Sequence, residues 1–255
     1  MKKDNIKYYN TYQDNFIESN NQSYEIKDNY KWIHNNIIYK IVSVIISIPF
    51  LIFGFIYTKF ILHISYKNKK ILKHYKKYFV YANHTQPIGD AFIPSTILFP
   101  KKPKIIISSA NLGIKVIGKF LPMLGALPIP NNIHKMKEFT NTIDTLMNKN
   151  NIIFIYPEAH VWEYCTFIRE FSNTSFRFPI INNVPSFTMT TTYQKRLIGR
   201  KPKITIYFDG PFYSDNLSTL KEKTKNLHDK VYNSLAKNSK HSTYEYIKYV
   251  KKDEI

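Results

Sequence analysis

The chain has 255 residues, enough for one sizeable domain with a covered core or for a domain with an appendage. It is 44% hydrophobic and 16% aromatic, which excludes an intrinsically disordered chain. The formal net charge of +19 favours an anionic partner. Anionic lipid or an acidic carrier protein fits better than nucleic acid, because the sequence has no zinc-ligand spacing, RNP-like strand or basic zipper.

Residues 1–36 form a polar N-terminal extension in which lysines and acids balance. The whole positive excess therefore lies in residues 37–255, which also carry the motifs described below. A polar start of this kind does not resemble a cleavable signal peptide.

An uncharged, apolar stretch follows at 41–58, between Lys40 and Lys59. As a helix it would measure about 27 Å, just short of a hydrocarbon core of about 30 Å, and Pro49 predicts a kink. We therefore expect a membrane-associated segment, 37–62, that spans the bilayer at a tilt or dips into one leaflet. A buried core helix is the alternative. Lysines are denser after the stretch than before it, so the positive-inside rule places the rest of the chain on the cytoplasmic face of the cell membrane.

Beyond this segment, short β-rich runs alternate with helical patterns. The predicted strands are 78–82, 104–108, 126–129, 152–156, 186–193 and 203–209. Helices are predicted from Ala91, over 132–150 with Asn131 or Asn132 as its cap, and over 217–236. This alternation predicts an α/β fold, a mainly parallel sheet flanked by helices, with the membrane-associated helical segment at its N-terminus.

No repeat or linker divides the rest of the chain, so residues 63–255 are predicted to form one domain with a C-terminal helical tail. The last part of this tail, 244–252, is rich in tyrosine and lysine. It is interpreted either as a solvated terminal helix or as a segment that touches phospholipid headgroups.

The first candidate for chemistry is the run 83–90, NHTQPIGD, directly after a predicted strand. Ligand crevices of α/β sheets lie at the carboxyl ends of parallel strands. His84 could act there as a general base that takes the proton from an alcohol, with Asp90 holding the other ring nitrogen. The alternative is a surface histidine beside an aspartate that caps a helix.

The second candidate is 152–160, IIFIYPEAH, another apolar strand that ends in a proline and polar residues. Glu158 could bind the hydroxyl groups of an acceptor, and His160 could meet an anionic group. The alternative is a strand-terminating turn with a solvated glutamate. The lone cysteine, Cys165, indicates packing rather than an acyl-enzyme, and no Cys/His spacing predicts a metal site.

Taken together, these motifs resemble those of the glycerolipid acyltransferases, the 1-acylglycerol-3-phosphate acyltransferase family. NHTQPIGD resembles the family's His-four-residues-Asp motif, and YPEAH resembles its Phe-Pro-Glu-Gly motif. Between them, residues 124–130 resemble the Gly-x-x-Phe-x-x-Arg block. Residues 169–178 and the following Val184-Pro185 resemble the approach to the fourth block and that block itself. The resemblance covers about residues 66–215.

The resemblance implies a membrane-associated acyltransferase of phospholipid biosynthesis. Such an enzyme moves a fatty acyl chain from a thioester donor, acyl-CoA or acyl-acyl carrier protein, to a hydroxyl of a lysophospholipid or related lipid. Its partners would be membrane lipid and the acyl donor, without a metal or another cofactor. The implied catalytic residues are His84 and Asp90, and the implied substrate-binding residues are Asn83, Glu158, His160 and Arg177.

The motif around His84 departs from the family pattern in its length. Five residues rather than four separate His84 from Asp90, and Gly89 could absorb the extra one in a bulge or tight turn. This departure supports an alternative function, a non-catalytic membrane- or lipid-binding protein that retains the acyltransferase fold.

Two arginines of the family pattern are also missing. Pro130 and Asn131 stand where the second block would hold one, and 159–161, Ala-His-Val, replaces the Gly-Thr-Arg of the third. The resemblance implies 1-acylglycerol-3-phosphate as the default acceptor. Because these arginines are expected to hold its phosphate, their absence argues for a different acceptor, such as a glycolipid, a neutral lysolipid or a hydroxylated intermediate. If a phosphate is kept, His160 and Arg177 are the cations best placed by sequence to bind it.

Overall fold

The computed structural model describes residues 5–17, 24–199 and 201–254. Within them, the strands are β1 (Ile6–Tyr9), β2 (Ser65–Lys67), β3 (Tyr78–Ala82), β4 (Lys104–Ser108), β5 (Ala126–Ile129), β6 (Ile152–Ile155), β7 (Ser186–Gln194), β8 (Lys203–Phe212) and β9 (Lys248–Lys251). The α-helices are α1 (Ile37–Ile56), α2 (Gly89–Leu98), α3 (Ile117–Phe120), α4 (Ile133–Asn148), α5 (Arg177–Ile181) and α6 (Leu220–Ser239).

Seven strands form one mixed sheet in the order β2-β8-β7-β3-β6-β4-β5. The five strands β3 to β7 run parallel to one another, and β8 runs antiparallel to β7. The short connection between β7 and β8 allows only a hairpin, since a parallel return needs a long crossover. The predicted α/β fold with a mainly parallel sheet flanked by helices is therefore confirmed, and every predicted strand is present within a few residues of its expected ends.

Alternate side chains of the central strand β3 fill two cores, one on each face of the sheet. Phe79 and Tyr81 pack under α4, α5 and α6, whereas Tyr78 and Val80 pack under α2. Burial on both faces explains why β3 is a continuous apolar run in the sequence rather than an alternating one.

The polar N-terminal extension packs on the domain through β1, which pairs in parallel with β9. Behind this pair, aromatic residues surround Trp162, whose ring stacks on Tyr249 with centroids 4.8 Å apart. The predicted helical tail needs a correction here. α6 is helical, but residues 248–251 form a strand, because β1 offers them a parallel partner and Trp162 covers Tyr249.

The apolar segment forms α1, which begins at an Asn36 cap and continues through Pro49 and a π-helical turn, Tyr57–Ile61. Its inner face holds small residues, Ser43, Ser47 and Gly54, that let it lie close against the domain. Ser43 and Ser47 accept hydrogen bonds from the Lys102 amino group at 2.8 and 2.9 Å.

The outer face of α1 is exposed and apolar along its length, and only 17% of its most apolar stretch is buried. A core helix of a soluble domain would be mostly covered. The large apolar side chains that it exposes are Ile37, Ile38, Ile41, Val42, Val44, Ile45, Ile48, Ile52, Phe53, Phe55 and Ile56.

Candidate active site

The carboxyl ends of the parallel strands β3, β6 and β7 bring three loops together at one edge of the sheet. The loop after β3 carries His84, the loop after β6 carries Glu158, and the end of β7 carries Tyr193. Backbone bonds fasten the first two loops to each other, since Trp162 N donates to His84 O at 3.0 Å and Tyr164 N donates to Thr85 O at 3.0 Å. Residues far apart in sequence therefore meet in one site.

His84 and Asp90 form a hydrogen-bonded pair, with Nδ1 2.8 Å from Oδ2, within the range of about 2.6–3.2 Å expected of a hydrogen-bonded base. Oδ2 also accepts the backbone N–H groups of Thr85 and Gln86, both at 3.0 Å. Because Oδ2 is the acceptor in both of these bonds, we assign the tautomer in which Nδ1 also donates to it and Nε2 is the nitrogen that can accept a proton. The Asp90 side chain is 2% exposed and the His84 side chain 20% exposed, so the imidazole is the part of the pair that a substrate can reach.

The extra residue between His84 and Asp90 is taken up by a turn at Pro87 and Ile88, where Ile88 turns its side chain to solvent. Gly89 has a structural role other than the bulge or tight turn that the sequence suggested. It is the first residue of α2, and a Cβ there would lie 3.0 Å from the Cβ of Gln86. The glycine therefore permits close packing, and the dyad keeps its hydrogen bond.

Tyr156 fixes the plane of the imidazole. Its ring stacks on His84 with centroids 4.5 Å apart and an interplanar angle of 26°, and its hydroxyl donates to the backbone oxygen of Asp90 at 2.8 Å. Burial raises the pKa of Tyr156 well above its ordinary value, so the hydroxyl stays a donor. Nothing in the sequence alone distinguished Tyr156 from the other residues of its strand, because only the pairing of β3 with β6 brings it to His84.

Glu158 is buried and its carboxylate is occupied by protein groups. Oε2 accepts from His84 N at 3.0 Å and from Arg169 Nη2 at 3.0 Å, while Oε1 accepts from Arg169 N at 2.9 Å. The guanidinium of Arg169 also donates to the backbone oxygens of His160 and Tyr12 and lies over the Trp162 ring. Contact between Glu158 and an acceptor stays a prediction, and the observed hydrogen bonds are with Arg169 and with the backbone of the dyad loop.

The other predicted substrate-binding residues, Asn83, His160 and Arg177, lie in three different surroundings. Asn83 is buried and joins β3 to β7, donating from Nδ2 to Thr191 O at 3.0 Å and accepting from Thr191 N at 2.8 Å. His160 is half-buried close to the dyad, and burial and the electrostatic interactions with Arg169 and His84 lower its pKa. Arg177 is exposed at the start of α5, which packs on the sheet face opposite α2. Across the described ranges it forms no hydrogen bond or ion pair with His84 or Asp90.

Cys165 is buried beneath the site, and burial together with the charge of Glu158 raises its pKa to about 12. A thiol in that state is a poor nucleophile. Residues 5–17, 24–199 and 201–254 hold no group of three or more His, Cys, Asp and Glu side chains that could bind a metal ion.

The chain is similar to known proteins over the part that carries this site. A protein-family model described as "Acyltransferase" matches residues 63–191, which include the dyad, the Glu158 loop and most of β7. Among solved structures, the chain is similar to the 1-acyl-sn-glycerophosphate acyltransferase PlsC from Thermotoga maritima, at 14% sequence identity and a TM-score of 0.48. That match covers 68% of this chain and 71% of PlsC. Among curated proteins, none matches the sequence.

Proposed function

The chain belongs to the acyltransferase family, and we propose that it moves a fatty acyl chain from a thioester to a hydroxyl group of a lysophospholipid or related lipid at a membrane. The observation that carries this proposal is the His84–Asp90 hydrogen bond of 2.8 Å at the carboxyl edge of the sheet. A paired imidazole with one free nitrogen is the group that an alcohol needs before it can attack a carbonyl.

In the proposed reaction, Nε2 of His84 removes the proton from the acceptor hydroxyl as its oxygen bonds to the thioester carbon. The tetrahedral intermediate then expels the thiolate, and the imidazolium returns the proton to the departing sulfur. Asp90 stabilises the imidazolium through Nδ1–H and keeps the productive tautomer. The donor is acyl-CoA or acyl-acyl carrier protein, and the reaction needs no cofactor beyond that donor.

Glu158 and Arg169 position this machinery in the proposal. Because Glu158 Oε2 holds the backbone N–H of His84, the carboxylate fixes the residue that carries the base. Arg169 in turn holds both oxygens of Glu158 in place. Their role is therefore orientation, with substrate contact left to groups nearer the surface.

The helix α1 supports attachment within one leaflet rather than a crossing of the bilayer. Both of its flanks lie on the same domain, since Trp32 Nε1 donates to Pro128 O at 2.8 Å before the helix and β2 joins the sheet after it. Along its length, Gly54 packs on Phe92 and Thr96 of α2. The exposed face would then lie in the acyl-chain boundary, with the site on the cytoplasmic face of the cell membrane.

The proposal also concerns the chemical class of the acceptor. Burial lowers the pKa of His160, which favours its neutral form, and Arg177 is exposed at the start of α5, on the sheet face opposite α2. An arginine fork binds a phosphate through two parallel, charge-assisted hydrogen bonds that a neutral imidazole does not supply. We therefore propose an acceptor without a phosphomonoester, such as a neutral lysolipid or a glycolipid.

The alternative function, a lipid-binding protein without catalysis, was favoured by the extra residue in the dyad loop. That residue leaves the His84–Asp90 distance at 2.8 Å, so the alternative has lost its main support.

The test is an acyl-transfer assay with the full-length protein in phospholipid vesicles. Labelled acyl-CoA and acyl-acyl carrier protein are offered with a panel of phosphorylated, neutral and sugar-headed acceptors. We expect transfer by the wild type and none by His84→Ala. The matched control is His228→Ala, because His228 also pairs with an aspartate at 2.8 Å but lies on α6, away from the site. Transfer by His84→Ala at the wild-type rate, or none by the wild type with any acceptor, contradicts the proposal.

A further inference from the structure

The hairpin between β7 and β8 ends in two aliphatic residues that no residue described in the structure covers. Leu197 is 105% exposed and Ile198 is 90% exposed, relative to a fully accessible residue. Gly199 follows with a φ of 96°, which suits the tight turn. Two neighbouring side chains that are wholly in water at a loop tip are unfavourable unless another surface covers them.

The sequence around this tip is strongly basic. From 195 to 203 it contains no acid, and its cations are Lys195, Arg196, Arg200, Lys201 and Lys203. An apolar tip within a cationic segment is complementary to the interface of an anionic bilayer, where phosphates lie above the acyl chains.

Arg196 holds the hairpin beside the end of the apolar helix. Its Nη2 donates to the backbone oxygen of Leu62 at 3.2 Å, and its Nε donates to Pro202 O at 3.2 Å. Just before Leu62, Phe60 and Ile61 are exposed and apolar like the outer face of α1. The hairpin tip is therefore next to the surface already proposed to lie in the membrane.

The same hairpin begins at the edge of the sheet where the dyad lies, called here the catalytic edge. The hydroxyl of Tyr193, close to the end of β7, lies 2.7 Å from Thr85 Oγ1 and 2.8 Å from Gln86 Nε2 in the dyad loop. A membrane that touches the tip would consequently lie beside the opening to His84, where a lipid acceptor must enter.

We propose that residues 195–199 form a second membrane-contacting element, which inserts Leu197 and Ile198 into the interface of an anionic bilayer and orients the catalytic edge toward it. This inference rests on the proposed function at a membrane and adds an anionic lipid surface as the partner of the hairpin. A protein partner is less well matched, because the tip presents two aliphatic side chains without a groove or an acid to pair with.

A tryptophan reporter in the full-length protein tests insertion directly. Leu197→Trp is compared with Leu220→Trp, an exposed position on α6 that lies on the opposite face of the sheet from α1. Both are mixed with phosphatidylcholine vesicles that either contain or lack phosphatidylglycerol and carry brominated acyl chains as quenchers. The wild type supplies the background from Trp32 and Trp162.

We expect a blue shift and quenching for the Leu197 reporter, stronger with phosphatidylglycerol, and no change for the Leu220 reporter. A Leu197→Asp/Ile198→Asp double variant should bind these vesicles about tenfold more weakly or worse, the effect of removing two aliphatic side chains from an apolar environment. Leu220→Asp should bind like the wild type.

The outcomes also distinguish this inference from the proposed function. If the wild type binds vesicles and transfers acyl chains while the Leu197 reporter stays in water, the hairpin inference is overturned and the acyltransferase proposal stands. It is also overturned if the double variant keeps its vesicle affinity but loses transfer from acyl-acyl carrier protein in detergent, because the hairpin would then dock the carrier. Insertion of the reporter without any acyl transfer supports the hairpin and contradicts the proposed chemistry.

Discussion

Glu158 and Arg169 form an ion pair that is closed to solvent, with Oε2 and Nη2 3.0 Å apart and side-chain exposures of 1% and 0%. The pair lies directly behind the dyad, because the same Oε2 accepts the backbone N–H of His84. Two buried charges lose much of their hydration, and only excellent geometry and further hydrogen bonds compensate for that loss. Here the geometry fixes the backbone of His84, the proposed base.

Replacing Arg169 should therefore affect both stability and chemistry. Arg169→Leu leaves the Glu158 carboxylate buried without its cation, and we expect a loss of about 3–5 kcal/mol in the free energy of unfolding. The turnover rate should fall as well, since the carboxylate that holds His84 N is displaced. Denaturant unfolding and the acyl-transfer assay measure the two effects. The surface pair Lys7–Glu163, 2.9 Å apart, is the control, and Lys7→Ala should cost less than about 1 kcal/mol. Equal costs for the two variants would contradict the assigned role.

Asp90→Asn tests the negative charge beside His84. The amide oxygen can take the place of Oδ2 and accept the same three N–H groups, so the variant keeps the hydrogen bonds but removes the charge that stabilises the imidazolium. We expect turnover to fall by about two to four orders of magnitude, the range of a general acid–base contribution. Circular dichroism and thermal unfolding check that the fold is kept. A folded variant that retains the wild-type rate would show that the charge of Asp90 does not assist the base.

Ala159→Gly should stabilise the protein. Ala159 is exposed and has a φ of 63°, a left-handed conformation that costs a residue with a Cβ about 1–2 kcal/mol. The greater flexibility of glycine in the unfolded chain offsets part of this gain, so we expect about 0.5–1 kcal/mol. Gly125→Ala is the opposite control, because its φ is 104° and a Cβ would lie 2.4 Å from Pro103 O. A destabilised Ala159→Gly would refute the strain argument.

Restoring the missing cation should change the preferred acceptor. Val161 aligns with the arginine of the family's third motif, so Val161→Arg should lower the KM for lysophosphatidate relative to that for a neutral lysolipid. Burial and the electrostatic interactions with Arg169 and His84 lower the pKa of His160 below its ordinary 6.5, so His160 remains neutral above that pH. Its protonation should not improve the KM for lysophosphatidate between pH 8 and 6.5. Efficient acylation of lysophosphatidate by a His160→Ala/Arg177→Ala variant would contradict the inference that the missing arginines exclude a phosphomonoester acceptor.

The membrane arrangement predicts that both ends of the chain lie on one side. If α1 stays in one leaflet, epitope tags at the N- and C-termini should be digested together in inverted membrane vesicles and protected together in right-side-out vesicles. The protein should also sediment with membranes without detergent. Digestion of only one tag in either preparation would show that α1 crosses the bilayer.

The sequence was sufficient to predict the sheet strands and the contact between His84 and Asp90, because both depend on residues that are close together in the chain. A strand such as β3 is a run of apolar residues bounded by polar ones, and the polar run that follows it must lie at the carboxyl edge. His84 and Asp90 are also close in sequence, so a single turn brings them together. The antiparallel direction of β8 was not predicted, since a strand pattern carries no information about direction.

Tertiary structure decided the contacts between distant segments. The pairing of β3 with β6 placed Tyr156 on the His84 ring. The buried Arg169 side chain pairs with Glu158 and lies over the ring of Trp162.

The hydrogen bond from Trp32 to Pro128 and the pairing of β2 with β8 placed both flanks of α1 on one domain. Hydropathy reports the length of an apolar helix but not where its neighbours lie. The positions of those neighbours depend on which surfaces pack together. Such packing joins residues that are far apart along the chain, so no local sequence pattern indicates the contact.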